Sequence, residues 1–316
     1  CLIDKYGRLG SRKGWAYRTS KRDTVAGDNV GLNLLGAHNF IDLAGTSTYL
    51  TWSSTLLFKG YEDLLTITPT TTDTISAGGW QAATLNDSAY FFQRDYKPLY
   101  YTNETTASEF KSIDTKTGFT GAAPKANAVL SAYGRLWAAD TSSNKTTVYF
   151  SDLLDGSKWG SGSAGSLNIA GTFSTNSDTI VGLGAHNGAL IVFCKNSIVI
   201  FKDNDSFQGS FDVTTLQLVE TIEGIGCISR DSIQSTGTDI LFLSSTGVRS
   251  LGRTIQEKSQ PLRDISKNVR DDLATLVDNT ADPQSIKAVY SPTSAFYLLA
   301  FPSSKAVYCF NTKAIL

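Results

Sequence analysis

Residues able to do chemistry are few in this chain, and their spacing assembles no reaction centre. His38 and His186 are the only two imidazoles in 316 residues. They stand in unrelated contexts, so no Ser-His-Asp arrangement can be located, and both read as ordinary loop residues. The four cysteines, Cys1, Cys194, Cys227 and Cys309, lie far apart with no CxxC pair, which argues against a zinc site. Cys194 and Cys309 fall inside apolar, strand-like runs where a reduced thiol packs as a small hydrophobe, so a cytosolic folding compartment is expected. No metal, cofactor or catalytic residue is expected.

Three further strings come near known motifs and miss them. Ser151-Asp-Leu-Leu-Asp155-Gly156-Ser-Lys-Trp159 approaches the sialidase Asp box, but Asp155 and Gly156 are adjacent where one residue should separate them, and the string occurs once. Turn chemistry explains it, because Asp-Gly is a strong turn former. Asp203-Asn204-Asp205 with Gly209 has a displaced glycine and no later bidentate glutamate, so a hairpin turn is expected in place of a calcium loop. Gly182-x-Gly184-x-x-x-Gly188 sits in a β context with no helix following, which excludes a dinucleotide fingerprint. The sequons at Asn86, Asn103 and Asn144 carry meaning only in a secreted eukaryotic protein.

Charge is distributed unevenly. The whole chain has 28 Lys and Arg against 29 Asp and Glu, with 18% charged and 41% hydrophobic residues, the composition of a compact body that is neither disordered nor globally basic. Up to Arg22, however, Lys5, Arg8, Arg12, Lys13, Arg18, Lys21 and Arg22 face Asp4 alone. The arm is therefore about plus six and the rest about minus seven. With Tyr6, Trp15 and Tyr17 interleaved, this arm is a candidate contact for nucleic acid, for an acidic face of a neighbouring protein, or for solvent alone. The longest apolar run, Ala189 to Cys194, falls far short of the ~18 residues that span a bilayer, so no membrane anchor is expected. Methionine is absent even at position 1, which implies a processed or truncated portion of a longer product.

The elements that must carry these residues repeat. Six pairs of β-branched and aromatic runs are separated by polar turns, the pattern of β-hairpins. They are Tyr49–Trp52 with Leu56–Phe58, Ala89–Phe92 with Leu99–Tyr101, and Arg135–Ala138 with Thr147–Phe150; then Leu190–Phe193 with Ile198–Phe201, Ile240–Leu243 with Val248–Leu251, and Phe296–Leu299 with Ala306–Tyr308. Turns near Ser54, Asp95, Ser143, Lys195, Ser245 and Ser303 give intervals of 41, 48, 52, 50 and 58 residues. Short strand-like segments precede four hairpins, at Val129–Ala132, Ile180–Leu183, Ser232–Ser235 and Ile286–Val289. Three or four strands per ~50-residue unit predict an all-β chain folded as a β-propeller of about six blades, because a small sheet buries both faces only when neighbours stack around an axis. A β-sandwich would recur every ~8 to 12 residues without that superperiod. The expected organisation is a basic arm with a first strand over residues 1–30 and a propeller body over 31–316.

Two segments interrupt the β pattern. From Ser259 to Leu276, the apolar Leu262, Ile265, Val269, Leu273 and Leu276 recur at three- and four-residue steps, which predicts one inserted amphipathic helix, capped by Ser259 and opened by Pro261. Gly156 to Ser166 reads as a flexible linker between the third and fourth units.

Taken in order, these strings resemble the tail nozzle proteins of short-tailed bacteriophages, also called tail hub or packaged-DNA stabilisation proteins. The resemblance is carried by Asn187–Phe193 running into Asn196–Phe201, by Gly224–Ile233 followed by Asp239–Leu251, by Ser259–Ser266, by Tyr149–Asp152 up to Trp159, and by the opening Gly7–Tyr17. It covers residues 126–310, and the first two hairpins match by repeat only. No single motif is diagnostic, and since that family usually carries an added tip region while this sequence ends just after its sixth hairpin, either a minimal nozzle or an incomplete chain is expected. The resemblance implies a non-enzymatic virion tail component, assembled in the bacterial cytoplasm as a homo-oligomeric ring of about six subunits. Its implied partners are a portal or adaptor ring above, tail fibres or spikes outside, and packaged DNA passing through the lumen without sequence-specific binding. Lys5, Arg8, Arg12, Lys13, Trp15, Tyr17 and Arg18 would then be a protein-docking surface. The alternative is a propeller glycoside hydrolase or carbohydrate-binding propeller acting on a host surface.

Overall fold

The computed structural model describes residues 2–3, 9–10, 35–53, 57–60, 65–67, 79–103, 110–174, 178–203, 211–257 and 265–312. Lys5, Arg8, Arg12, Lys13, Trp15, Tyr17 and Arg18 lie outside these residues, as do Cys1, Ser259 and Pro261. Near the N-terminus β1 (Leu2–Ile3) pairs with β2 (Leu9–Gly10). The body is a β-propeller of six antiparallel sheets, each wound in chain order.

Blade 1 is β3 (Gly36–Ile41), β4 (Ser47–Trp52), β5 (Leu57–Lys59) and β6 (Leu65–Ile67). Blade 2 is β7 (Gln81–Leu85), β8 (Ser88–Phe92), β9 (Leu99–Tyr101) and β10 (Lys111–Ser112). Blade 3 is β11 (Ala126–Ala132), β12 (Arg135–Thr141), β13 (Thr147–Phe150) and β14 (Gly165–Asn168), and blade 4 is β15 (Ile180–His186), β16 (Ala189–Cys194), β17 (Ser197–Asp203) and β18 (Leu216–Glu223). Among the described residues the last two blades have three strands each: β19 (Gln234–Ser235), β20 (Ile240–Ser244) and β21 (Gly247–Ser250), then β22 (Lys287–Ser291), β23 (Phe296–Phe301) and β24 (Ala306–Asn311). All six hairpins anticipated from the repeat are the second and third strands of the blades. Their registers include Thr51 opposite Phe58, Phe91 opposite Leu99, Trp137 opposite Phe150, Val192 opposite Val199, Leu243 opposite Val248 and Leu299 opposite Tyr308.

The apolar runs are continuous in the middle blades because both faces of each sheet are covered. On β16, Leu190, Val192 and Cys194 face blade 3 with Trp137, Val148 and Phe150, while Ala189, Ile191 and Phe193 face blade 5 with Ile240 and Phe242. Period-2 alternation thus sends one strand into two cores, and each fully buried Leu, Ile, Val or Phe contributes ~1.5–3 kcal/mol. Equivalent cores fill the seams between blades 1 and 2, 2 and 3, and 5 and 6. Among the described residues no such core joins blade 6 to blade 1.

Two expectations change in detail. The helix anticipated over 259–276 is shorter: α2 (Arg270–Asp278) follows a 3-10 turn at Lys267–Val269. Ile265 and Ser266 are held instead by β21, where the Ile265 N–H donates to the Val248 carbonyl at 3.2 Å and the Ser266 hydroxyl accepts from the Val248 N–H at 2.9 Å. A second helix, α1 (Leu251–Glu257), starts where the hairpin pattern continues a strand. The supposed flexible linker is an ordered loop. Its Trp159 N–H donates to the Thr120 carbonyl at 2.9 Å, the Ser163 N–H to Asp152 at 3.0 Å, and its end is β14.

Candidate functional site

The first strands of the blades line the axis, and a tight turn before β19 delivers a side chain into it. Gly226 lets the chain cross blade 4, since a Cβ there would lie 2.2 Å from the Lys195 carbonyl oxygen. The turn, a 3-10 segment over Arg230–Ser232, is then pinned on all sides. The Ser229 hydroxyl donates to the Ile286 carbonyl at 3.1 Å, the Ser232 hydroxyl donates to the Ser229 carbonyl at 2.6 Å, and the Tyr297 hydroxyl donates to the Ser232 carbonyl at 2.8 Å. Beneath it Gly182 of β15 leaves room for Ile233, whose Cδ1 would be 2.5 Å from an added Cβ.

From this turn Arg230 reaches across the axis. Its Nη1 donates to the Gly79 carbonyl at 2.9 Å and to Asn127 Oδ1 at 3.0 Å, as well as to the Asn127 carbonyl, and Nη2 approaches the Trp80 carbonyl at 3.5 Å. One guanidinium from blade 5 thereby ties the entries of blades 2 and 3, and it is 2% exposed. Nε and Nη2 also grip the two oxygens of Asp231 at 2.8 and 3.2 Å, and Lys287 of β22 completes the group from blade 6. Burial opposes the charge on Asp231, but Arg230 and then Lys287 overcome it and hold the carboxyl below its ordinary range.

Arg230 borders a cavity on each side. The larger, about 590 Å³, opens between blades 1 and 6 and is walled by Tyr49, Trp52, Trp80, Asp231, Lys287 and Val289. His38 of β3 also faces it and meets Thr84 Oγ1 at 2.7 Å, with burial lowering its pKa. The smaller, about 220 Å³, is bordered by Arg94, Asn127, Asp140, Lys145 and Gln284. Here Asp140 accepts from Asn127 at 2.9 Å, from Lys145 at 2.8 Å and from Arg94. Its backbone is left-handed at φ +64°, a strain of ~1–3 kcal/mol that these three donors offset. Asn127 bonds both Arg230 and Asp140, so one charged network runs through the axis.

The sequence singled out none of Arg230, Asp231, Lys287 or Asp140. The available signal was the Ser-Arg-Asp-Ser string at 229–232, a charged pair inside an otherwise apolar stretch. His38 is a strand residue and not the loop residue expected, because its ring packs edge-on to Phe91 while reaching Thr84. His186 ends β15. The Asp-box-like string is a turn in which Asp155 accepts from the Ser157 N–H at 2.9 Å and Trp159 Nε1 donates to the Gly156 carbonyl at 2.9 Å. Of the string read as a hairpin turn at 203–209, Asp203 is described: it ends β17 and accepts from the Asp212 N–H at 2.8 Å, and the rest lies outside the described residues. Cys194 is buried as expected, but Cys309 is exposed, because it alternates with Tyr308 and Phe310 onto the face of β24 that no core covers. Among the described residues no group of three or more His, Cys, Asp or Glu is placed to hold a metal, and no helix is long and apolar enough to cross a membrane.

No family model matches the chain, and no curated protein matches it. Among solved structures it is similar to BamB from Moraxella catarrhalis, at 11% identity and a TM-score of 0.46 over 90% of this chain and 75% of that one. It is also similar to Hsv2 from Kluyveromyces lactis, at 11% and 0.43 over 83% of this chain and 76% of that one. For YCF48 bound to D1 peptide the values are 10% and 0.44 over 88% of this chain and 78% of that one. Likenesses this distant carry no functional argument, and the fold rests on the sheet order and the seam cores.

Proposed function

We propose that the chain is a non-catalytic structural propeller, a subunit of the tail nozzle of a short-tailed bacteriophage. The observation that supports a structural role is the state of the axial carboxylates: Asp231 is gripped by Arg230 and Lys287, and Asp140 by Arg94 and Lys145. A general base or nucleophile must be able to exchange its proton or attack a substrate, and carboxylates saturated by cations do neither well. Such a network instead ties blades together. The nozzle assignment itself rests on the resemblance over residues 126–310. In that reading the subunits form a ring of about six beneath a portal or adaptor, hold fibres or spikes outside, and pass DNA through the space between subunits. The basic arm with Lys5, Arg8, Arg12, Lys13, Trp15, Tyr17 and Arg18 docks on an acidic neighbour.

The test is to purify the chain with its particle, image it by negative stain, and sediment it alone. A ring at the tail, or a sedimenting ring, is expected. A monomer absent from virions, with turnover of surface polysaccharide that is lost on Asp231→Asn, overturns the reading in favour of a hydrolytic propeller.

A further inference from the structure

The chain holds one Asn-Gly pair, Asn187-Gly188, and one Asp-Gly pair, Asp155-Gly156. Both lend themselves to the same covalent change, because a following glycine has no side chain to shield its backbone nitrogen from the preceding carboxamide or carboxyl carbon. The fold separates them. Asp155 accepts from the Ser157 N–H at 2.9 Å and from the Ser157 hydroxyl at 2.6 Å, and Gly156 is buried, its carbonyl accepting from Trp159 Nε1 at 2.9 Å. A Cβ on Gly156 would stand 2.6 Å from both Leu136 Cδ1 and Tyr90 Cζ, so this backbone has no room to turn. Asn196-Ser197 is held as firmly, since Asp178 accepts from the Asn196 N–H and from the Ser197 hydroxyl, each at 2.8 Å.

Asn187-Gly188 has none of these restraints. It is the two-residue turn between β15 and β16, with φ +48° at Asn187 and +72° at Gly188, the left-handed pair that closes a type I′ hairpin. Both residues are exposed, and nothing beyond the chain neighbours lies within 4 Å of a Cβ built on Gly188. Among the described residues neither the Asn187 side chain nor the Gly188 N–H has a hydrogen-bond partner. Bringing the Gly188 nitrogen onto Asn187 Cγ needs release of the turn and of the His186–Ala189 pair beside it, a local opening at a solvated hairpin end.

We propose that Asn187 is a covalent modification site, the position among the described residues at which the folded chain deamidates first. The Gly188 nitrogen gives its proton to hydroxide and bonds to Asn187 Cγ; the bond from Cγ to the amide nitrogen breaks, and ammonia leaves with a proton from water. Water then opens the resulting succinimide at either carbonyl, giving aspartate or its isoaspartyl form. Aspartate suits the same turn, since Asp-Gly and Asn-Gly both form it. The isoaspartyl form adds a methylene to the backbone between His186 and Ala189, whose carbonyl accepts from the Tyr133 hydroxyl of blade 3 at 2.8 Å. Tyr133 in turn stacks on Phe211 with 4.0 Å between ring centroids. Both products place a new negative charge at this turn, and the isoaspartyl form also loosens the seam of blades 3 and 4. The proposal does not draw on the nozzle reading.

The test incubates the full chain at 37 °C and pH 8.5, in native buffer and in urea, and follows each Asn by peptide mass mapping, with electron-transfer fragmentation separating aspartate from isoaspartate. In native buffer Asn187 should convert ahead of every other Asn among the described residues, while isomerisation at Asp155 should wait for urea. Conversion should slow as pH falls to 6, because the attacking nitrogen must lose its proton, and should be lost in Gly188→Ala. Asn187→Asp should match the parent in Tm, and the isoaspartyl fraction, isolated by ion exchange, should melt below it. An Asn187 unchanged in native buffer, conversion of Asn196 ahead of it, or a rate independent of pH overturns the proposal, and these results come from the parent chain even if Gly188→Ala fails to fold. An isoaspartyl fraction that melts with the parent overturns the effect on the seam.

Discussion

Replacing Arg230 by Met tests whether the axial guanidinium holds the propeller together. Methionine fills similar space but removes the charge and all the donors, leaving the Gly79, Trp80 and Asn127 carbonyls without their axial partner and Asp231 with Lys287 alone. Removing one member of a buried ion pair costs about 3–5 kcal/mol, most of it from the charge left behind. In a chain of this length each kcal/mol moves Tm by roughly 2 °C, so Arg230→Met should lower Tm by about 6–10 °C. Arg230→Lys keeps the charge but loses the fork on Asp231, and should fall between. The cost has a second signature. If the stranded carboxylate carries part of it, Asp231→Asn in the Arg230→Met background should restore about 1–2 kcal/mol although Asp231→Asn alone destabilises. Thermal melts and urea titrations followed by tryptophan fluorescence read all four proteins. A loss of less than ~1 kcal/mol for Arg230→Met, or a double variant no more stable than Arg230→Met, would refute the reasoning.

Two further outcomes follow from burial. His38 has a pKa lowered by desolvation, so below its ordinary ~6.5 the unfolded chain takes up a proton that the folded chain refuses; its contribution is intact above that pH and is lost as pH falls toward the folded pKa. Tm should therefore drop between pH 7 and 5 less steeply in His38→Gln than in the parent, and parallel curves would show that His38 is not the group. Burial pushes the Cys227 thiol up to about 12 and that of Cys194 higher still, whereas Cys309 is exposed. Among these three, an aromatic disulfide reagent at pH 8 should modify Cys309 within minutes and the other two only on unfolding, as peptide mass mapping would read; rapid native labelling of Cys194 or Cys227 would contradict the packing.

The repeat was legible because hairpin strands in a propeller are buried on two sides and so must be apolar without a break, as Ala189–Cys194 is. Inner strands were legible in the last four blades, where Val129–Ala132, Ile180–Leu183, Ser232–Ser235 and Ile286–Val289 overlap β11, β15, β19 and β22, but those of blades 1 and 2, half-exposed along β3 and β7, were not singled out. The helix boundary was not, because the apolar spacing over 262–276 serves two structures in turn: Ile265 follows β21 and Leu273 enters the core on α2. Local periodicity does not distinguish an apolar residue placed by a neighbouring strand from one placed by a helix turn. The axial network was hidden for a different reason. Arg230 meets Gly79 and Asn127 across 151 and 103 residues of chain, and no local pattern records a contact between three blades. Its seam opposite was partly visible: Ala306-Val-Tyr-Cys-Phe-Asn311 is as apolar as an interior strand, yet alternate residues of it face no core.

That one guanidinium bridges the axis bears on how the chain would conduct DNA in the nozzle reading. Around Arg230 the free space of the propeller axis is of side-chain width, since a single guanidinium bridges from blade 5 to blades 2 and 3. A duplex, whose major groove alone is ~12 Å wide, requires an opening several times larger. In the nozzle reading the lumen would therefore lie between subunits, each propeller standing as one stave of the wall. Closed rings of identical chains need two different complementary patches on each copy. In that reading the body's surplus of about seven acids would matter only where it faced the shared lumen, because acids there repel phosphate and let the duplex slide, whereas each neutralised phosphate would add affinity and salt dependence.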